Sequence, residues 1–199
     1  MFKKLIILFF DFILNQNVIN FIYKVYSILL RDKLRKAKGY YCLSLIKNRG
    51  MNCRFHGVVE VYYNNGLKLG NDVRIGYGTF IFAMGGVSIG DNCQISRYVT
   101  IYSANHDVNG THIPYDDKYI LKTVSLGHSV WVGMHVKILP GVNIGDGAII
   151  GMGSVITKDV PKGAIVVGNP QRIVGYRSMD DFYMKLKNGK IFSKEWPKR

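Results

Sequence analysis

Residues 126–161 read LGHSVWVGMHVKILPGVNIGDGAIIGMGSVITKDVP, and every sixth residue of this stretch is aliphatic. These residues are Leu126, Val132, Ile138, Ile144, Ile150 and Ile156. The same spacing occurs upstream in two shorter runs, which two extra glycines at positions 85 and 86 separate. The upstream members are Leu69, Ile75, Ile81, Ile89, Ile95 and Ile101. A period of six fits neither an α-helix nor an alternating strand, so it indicates a solenoid.

If three short flat strands make one coil, each aliphatic residue packs on the aliphatic residue eighteen positions later, in the next coil. Glycine follows seven of the twelve aliphatic residues, and we expect it to tolerate the backbone angles at the corners. The sequence therefore predicts an all-β solenoid of about four coils in a domain over residues 61–176, interrupted by a loop over residues 107–125. The pattern itself does not give the handedness of the coil.

The charge is concentrated at the two ends of the chain. Residues 1–60 hold 11 basic and 3 acidic residues, residues 161–199 hold 9 and 3, and the stretch between them holds 7 of each. A nucleic-acid partner is not expected, because basic and aromatic residues do not alternate along a continuous face. Basic ends suit an anionic membrane surface and a phosphate-bearing ligand, or simply a solvated surface.

Residues 1–60 form a basic segment with two predicted amphipathic helices, over residues 2–14 and 17–37. No apolar run reaches the length of a membrane span, and no small-residue cleavage site follows the first run. Residues 1–38 either contact a membrane peripherally or pack as a cap on the domain or on a neighbouring subunit. Residues 177–199 form a basic tail with a short helix. Cys42, Cys53 and Cys93 lack metal-site spacing, so we expect free thiols. Free thiols suit a reducing compartment, so we expect a cytoplasmic protein, with a peripheral position of the protein at the inner membrane as one option.

Four motifs give the repeats a family resemblance: VWVG at 130–133, ILPGVNIG at 138–145, IGMGSVITKDVP at 150–161 and VGNP at 167–170. Residues 66–176 resemble the hexapeptide-repeat acyltransferases. They are most similar to the branch of galactoside, maltose and nodulation-factor O-acetyltransferases, which capsule and O-antigen acetyltransferases also resemble. The resemblance implies a left-handed parallel β-helix, a homotrimer with sites between its subunits, and acetyl-CoA as co-substrate.

The resemblance also implies a catalytic histidine just before the excursion from the coils. That position is His106, in SANHD at 103–107. Histidine suits the reaction, because a base with a near-neutral pKa must take the proton of the acceptor hydroxyl as it attacks the thioester. No metal is expected, since the spacings of six, sixteen and seven between His106, His112, His128 and His135 are not those of a histidine metal site on this fold.

Position by position, the resemblance implies a set of acetyl-CoA contacts along the last coils. These are Trp131, Gly133, Met134, Gly151, Met152, Thr157, Lys158 and Arg172. Lys158 and Arg172 are cations for the phosphates, and amides beside the glycines are hydrogen-bond donors. Trp131 is equally a candidate for packing in the core or at a subunit interface.

The acceptor side departs from the family pattern. Glycine and apolar residues at 76–78 and 83–85 replace polar contacts of the galactoside enzymes, so a galactoside or maltose acceptor is not expected. The candidate replacements are Tyr102, Asn105, Asp107, Tyr115, Asp116 and Asp117, with Tyr102 either a platform for a sugar ring or a packing residue. The predicted function is O-acetylation of a surface polysaccharide or its precursor. The alternatives are an amino-sugar N-acetyltransferase and a non-catalytic scaffold.

Overall fold

The computed structural model describes residues 2–13 and 15–192, and its centre is a coil of short strands that form three parallel faces. Face A comprises β3 (Leu67–Leu69), β6 (Val87–Ile89), β11 (Val124–Leu126) and β14 (Asn143–Ile144). Face B comprises β1 (Arg54–His56), β4 (Arg74–Gly76), β7 (Gln94–Ile95), β12 (Trp131–Val132), β15 (Ile149–Ile150) and β17 (Ala164–Val167). Face C comprises β2 (Glu60–Tyr62), β5 (Phe80–Phe82), β8 (Thr100–Tyr102), β13 (Lys137–Ile138) and β16 (Val155–Ile156). The predicted parallel β-helix is confirmed.

The aliphatic repeat fills the interior of the β-helix. All twelve repeat residues are buried, with at most 6% of each exposed. On face C the column consists of Val61, Ile81, Ile101, Ile138 and Ile156, each paired in register with the next. Because the interior is made of such columns, every coil removes the same apolar area from water and adds to one continuous core.

The β-helix is longer than the repeat predicted. Face B holds six parallel strands, so the coil makes about six turns rather than four. The first turn begins at Arg49, which bridges to Leu69, so the β-helix starts before the predicted boundary at residue 61. The repeat positions of this turn lie twenty residues before those of the next turn and hold Arg49, Phe55 and Val61. The aliphatic pattern misses the turn because Arg49 and Phe55 are not aliphatic.

The glycines that follow the aliphatic residues have a different role from the predicted one. The left-handed backbone at the corners belongs to residues two positions further on, such as Asp72 and Asn92. At Gly133, by contrast, an added Cβ would lie 2.6 Å from the backbone nitrogen of Met152 in the next coil. Glycine is therefore needed there because successive coils approach closely, and not because the backbone turns.

The N-terminal segment is helical, as predicted, but with different bounds. It contains α1 (Phe2–Ile13), α2 (Gln16–Val25), a π-helical turn (Tyr26–Leu30) and α3 (Arg31–Ser44). The second predicted helix ended at residue 37, whereas α3 continues to Ser44 because Gly39 and Leu43 pack on the first turn of the β-helix. An added Cβ at Gly39 would clash with the carbonyl oxygen of Phe55.

The first two helices do not share this packing. No residue of α2 is buried, so the predicted cap on the domain is not formed by this helix. In the described part of the chain, no single helix is long and apolar enough to cross a membrane. One pair of helices is together long and apolar enough for a membrane span, by length and composition only. The pair is Lys3–Phe12 and Gln16–Val25, and the two helices are bent by 59° from each other.

The C-terminal segment closes the last turn. Strand β18 (Arg172–Tyr176) runs antiparallel to β17, and α4 (Met179–Lys187) follows it. The hydroxyl of Ser178 caps α4 by accepting the N–H of Asp181, and Phe182 is buried against the corner at Gly147. The predicted short helix is confirmed, while residues 193–199 of the predicted tail lie outside the described residues.

Candidate active site

The predicted excursion is a β-hairpin at the edge where face C leads into face A. Strand β9 (Ala104–His106) pairs antiparallel with β10 (Tyr119–Leu121), and Tyr119 stands opposite His106. The chain rejoins the coil at Val124, the first residue of β11. His106 is therefore the last residue of a paired strand, which fixes its backbone at the start of the loop.

The imidazole of His106 is held by a backbone carbonyl on the far side of this loop. Its Nδ1 lies 3.2 Å from the carbonyl oxygen of Asp116. Because a carbonyl oxygen can only accept, Nδ1 carries the proton and Nε2 keeps its lone pair. This is the tautomer that a general base requires.

Two tyrosine rings contact the imidazole. The centroid of the Tyr115 ring lies 3.9 Å from that of His106 at an interplanar angle of 23°, and the Tyr119 centroid lies 4.3 Å away. Tyr115, predicted as an acceptor contact, therefore touches the proposed base directly. Together with the hydrogen bond at Nδ1, these rings restrict the rotation of the imidazole.

The carboxylate of Asp116 organises the loop. It is buried and accepts the backbone N–H groups of Thr111 at 3.0 Å and of His112 at 2.8 Å, with His112 Nδ1 also 3.0 Å away. The hydrogen bond from the Thr111 backbone, followed by those from His112, lowers the pKa of Asp116. Asp116 thus acts on the loop and, through its carbonyl, on His106, a role that the sequence did not indicate.

The other predicted acceptor contacts are partly engaged within the chain. Phe82 stacks on one face of the Tyr102 ring, with centroids 4.6 Å apart and an interplanar angle of 6°, so that face is not open to a sugar. The Asn105 side chain accepts the N–H of His106, and the Asp107 carboxylate accepts the N–H of Asn109. Asn105 is exposed next to His106, so its side chain is accessible from solvent.

Four of the predicted acetyl-CoA contacts lie at the corner between faces B and C. The N–H of Gly133 donates to Ile150, and that of Gly151 donates to Val166, so both glycine amides belong to the ladder between coils. Of the residues next to these glycines, Met134 is half-buried and Met152 is 72% exposed. The expected donors beside the glycines are therefore the amides of these two methionines.

Two further predicted contacts lie at the opposite edge of face C, the edge that also carries His106. Thr157 and Lys158 follow β16, and both donate their backbone N–H to the side-chain oxygen of Gln171, at 2.6 and 3.0 Å. Gln171 returns a hydrogen bond from its Nε2 to the Lys158 carbonyl. Arg172, the next residue, begins β18 and pairs with Val167 in the sheet of face B. Gln171 was not predicted, yet it fixes the turn that presents the exposed Lys158.

Trp131 lies apart from both edges. Its side chain is 53% exposed on face B, where it lines a groove of about 850 Å³ between this face and α4. Within one chain the structure thus does not bring all the predicted contacts into a single cleft. They occupy the two edges of face C and the middle of face B.

His128 and His135 lie at corners of the coil. His135 stacks on Tyr98 with centroids 5.0 Å apart, and the backbone of His128 donates to Asp146. Within residues 2–13 and 15–192, no group of three or more His, Cys, Asp or Glu side chains is placed to hold a metal ion.

Known proteins share both the repeat and the fold. Two family models match, "Bacterial transferase hexapeptide (six repeats)" over residues 123–158 and "Hexapeptide repeat of succinyl-transferase" over residues 66–102. Galactoside O-acetyltransferase of Escherichia coli (strain K12) is 32% identical over 154 residues, which cover 75% of each chain. This chain belongs to the hexapeptide-repeat acetyltransferase family.

Solved structures of hexapeptide-repeat acetyltransferases superimpose on the chain. Galactoside acetyltransferase in complex with coenzyme A has a TM-score of 0.62 and 31% identity, covering 67% of this chain and 66% of that one. Maltose O-acetyltransferase from Clostridium difficile 630 has a TM-score of 0.58 and 25% identity, covering 74% of this chain and 90% of that one. The chain is an acetyltransferase with acetyl-CoA as its co-substrate, so the alternative of a non-catalytic scaffold is wrong.

The role of Asp116 is testable by comparison with an exposed carboxylate outside the loop. We expect Asp116→Ala to lower acetyl-CoA turnover by about a hundredfold, because a loosened loop misplaces the carbonyl that orients His106. The exposed Asp180→Ala, in the first turn of α4, is the matched control and should keep wild-type turnover. Equal turnover in the two variants, with equal thermal unfolding midpoints, would contradict this role.

Proposed function

We propose that this enzyme transfers the acetyl group of acetyl-CoA to a sugar hydroxyl of a surface polysaccharide or of its precursor. The observation that carries the proposal is the orientation of His106, whose Nδ1–H faces the Asp116 carbonyl. This leaves Nε2 as a proton acceptor beside the tyrosines of the hairpin. Acetyl transfer to a hydroxyl needs this group, because an uncharged hydroxyl is a weak nucleophile until a base takes its proton.

The proposed reaction is a direct transfer. His106 Nε2 takes the proton of the acceptor hydroxyl as its oxygen attacks the thioester carbonyl carbon. The tetrahedral intermediate then expels the CoA thiolate, which receives the proton from the imidazolium. The new ester bond replaces the thioester bond, and His106 returns to its starting tautomer. The Asp116 carbonyl stabilises the imidazolium while it exists, because it keeps accepting the hydrogen bond from Nδ1.

The proposed acceptor is a glycan, and the surface beside His106 supports this choice. Tyr62 and Tyr63 are each 53% exposed and contact Phe82, which extends an aromatic surface from Tyr102 down face C. Tyrosine offers an apolar ring and a hydroxyl together, which matches the mixed surface of a sugar. Because Phe82 covers one face of Tyr102, Tyr62 and Tyr63 are better placed than Tyr102 to receive a sugar ring.

We also propose that the enzyme is a cytoplasmic homotrimer with sites between subunits. In one chain His106 and Met134 lie at opposite edges of face C, so a neighbouring subunit is needed to bring a base next to a pantetheine arm. Lys158 and Arg172 then serve the cofactor phosphates. All three cysteines are free thiols, which is consistent with a reducing compartment.

The base is tested by CoA thiol release from acetyl-CoA with sugars, nucleotide sugars, amino-sugar nucleotides and short glycans. We expect release that depends on a hydroxyl acceptor, and a decrease of about 10²–10⁴-fold in His106→Ala. The exposed His128→Ala at another corner should match the wild type. Release with amino sugars alone would replace this proposal with N-acetylation, and an unchanged rate in His106→Ala would remove His106 as the base.

The shared site is tested by mixing two inactive variants, His106→Ala and Met134→Glu/Met152→Glu. Random trimers should recover about a quarter of wild-type turnover, because one variant supplies the base and the other an intact cofactor edge. Light scattering should give three times the chain mass of 22.5 kDa. A monomeric mass, or mixed samples without turnover, would contradict sites between subunits.

A further inference from the structure

The helices α1 and α2 carry an unusual amount of exposed apolar surface, and together they are called the N-terminal arm below. The following apolar side chains of the arm are each more than half exposed: Leu5, Ile7, Phe9, Phe10, Phe12, Phe21, Ile22 and Tyr23. A cluster of this size on a soluble protein marks a surface that is covered by a partner or a membrane.

The apolar residues of α2 share one face of the helix. Val18, Ile19, Ile22 and Val25 recur at helical spacing, while Asn17, Asn20 and Lys24 occupy the opposite side. The helix is thus two-sided, although the described part of the chain buries none of its residues. This pattern is typical of a helix that lies in an interface between water and an apolar phase.

The charge next to the arm is strongly positive. Lys3, Lys4 and Lys24 lie within it, and α3 adds Arg31, Lys33, Arg35, Lys36 and Lys38. The acidic residues of this region are Asp11 and Asp32, and Asp32 forms ion pairs with both Arg31 and Arg35. The net positive charge favours an anionic partner, and it opposes the pairing of two arms because like charges would be brought together.

The arm is joined through α3 to the first turn of the β-helix. Helix α3 is packed on the first turn through Gly39 and Leu43. His106 follows β8, which lies two strands above β2 of the first turn on face C. Two strand spacings amount to about 10 Å, so the turn on which α3 packs lies near the edge that carries His106.

We propose that the N-terminal arm docks this enzyme on an anionic lipid bilayer. The apolar side chains of α1 and α2 enter the boundary between headgroups and acyl chains, and the basic side chains of α3 contact the anionic headgroups. Docking goes beyond the proposed acetyl transfer, which needs no membrane. It would hold the active site close to acceptors that are carried on lipids.

The test is co-sedimentation of the full chain with vesicles of phosphatidylcholine alone and of phosphatidylcholine with phosphatidylglycerol. We expect binding to the anionic vesicles, weaker binding to the neutral ones, and a decrease with added salt. Ile19→Asp/Ile22→Asp should weaken binding on the order of tenfold or more, since it places charges on the apolar face. Asn17→Asp/Asn20→Asp changes the net charge by the same amount but on the polar face, so it is the matched control. This variant should lose much less of its binding to anionic vesicles.

Three results would overturn the docking proposal. The two double variants could bind anionic vesicles equally, or the wild type could bind neither vesicle. Alternatively, the Ile19→Asp/Ile22→Asp change could alter the oligomeric mass without lipid, which would make the arm a subunit interface. CoA release with a soluble acceptor, measured on the same variants, keeps this test separate from that of the transfer reaction.

Discussion

The columns of aliphatic side chains inside the β-helix are the constraint on which the rest of the structure depends. Each strand has only two to five residues, so no strand is stable alone and each coil is held by its neighbours. Ile101 and Leu126 sit in these columns on either side of the hairpin. Because the columns restore the register after the hairpin, the chain can leave the coil at this point and build a catalytic edge.

The fold was predictable where the repeat is strict. Ile75 and Ile138 stand in an unbroken pattern, and both are buried in the predicted columns. The first turn was not predictable, because Arg49 and Phe55 break the aliphatic series and their strands are recognised only through pairing with the next turn. The end of α3 was missed for a similar reason, since its last turns are stabilised by contact with the β-helix and not by helix propensity.

The motif predicts that His106 is the base, but the orientation of its imidazole was not predictable. The partner of His106 is a backbone carbonyl ten residues away, and its position follows from the hydrogen bonds of a buried carboxylate. A sequence shows that Asp116 is acidic, yet it does not show that the side chain turns inward. Gln171 was missed for the same reason, because its amide acts on the backbone of Thr157 and Lys158 across a turn.

The central claim is that the Asp116 carbonyl holds His106 in the tautomer that leaves Nε2 free to accept a proton. The most direct measurement is the nitrogen-15 chemical shifts of labelled histidine side chains in the intact enzyme, with the His106 signals assigned by their loss in His106→Gln. With neutral imidazole, we expect a protonated Nδ1 and an unprotonated Nε2. A proton on Nε2 would contradict the claim, because that nitrogen could then not act as the base.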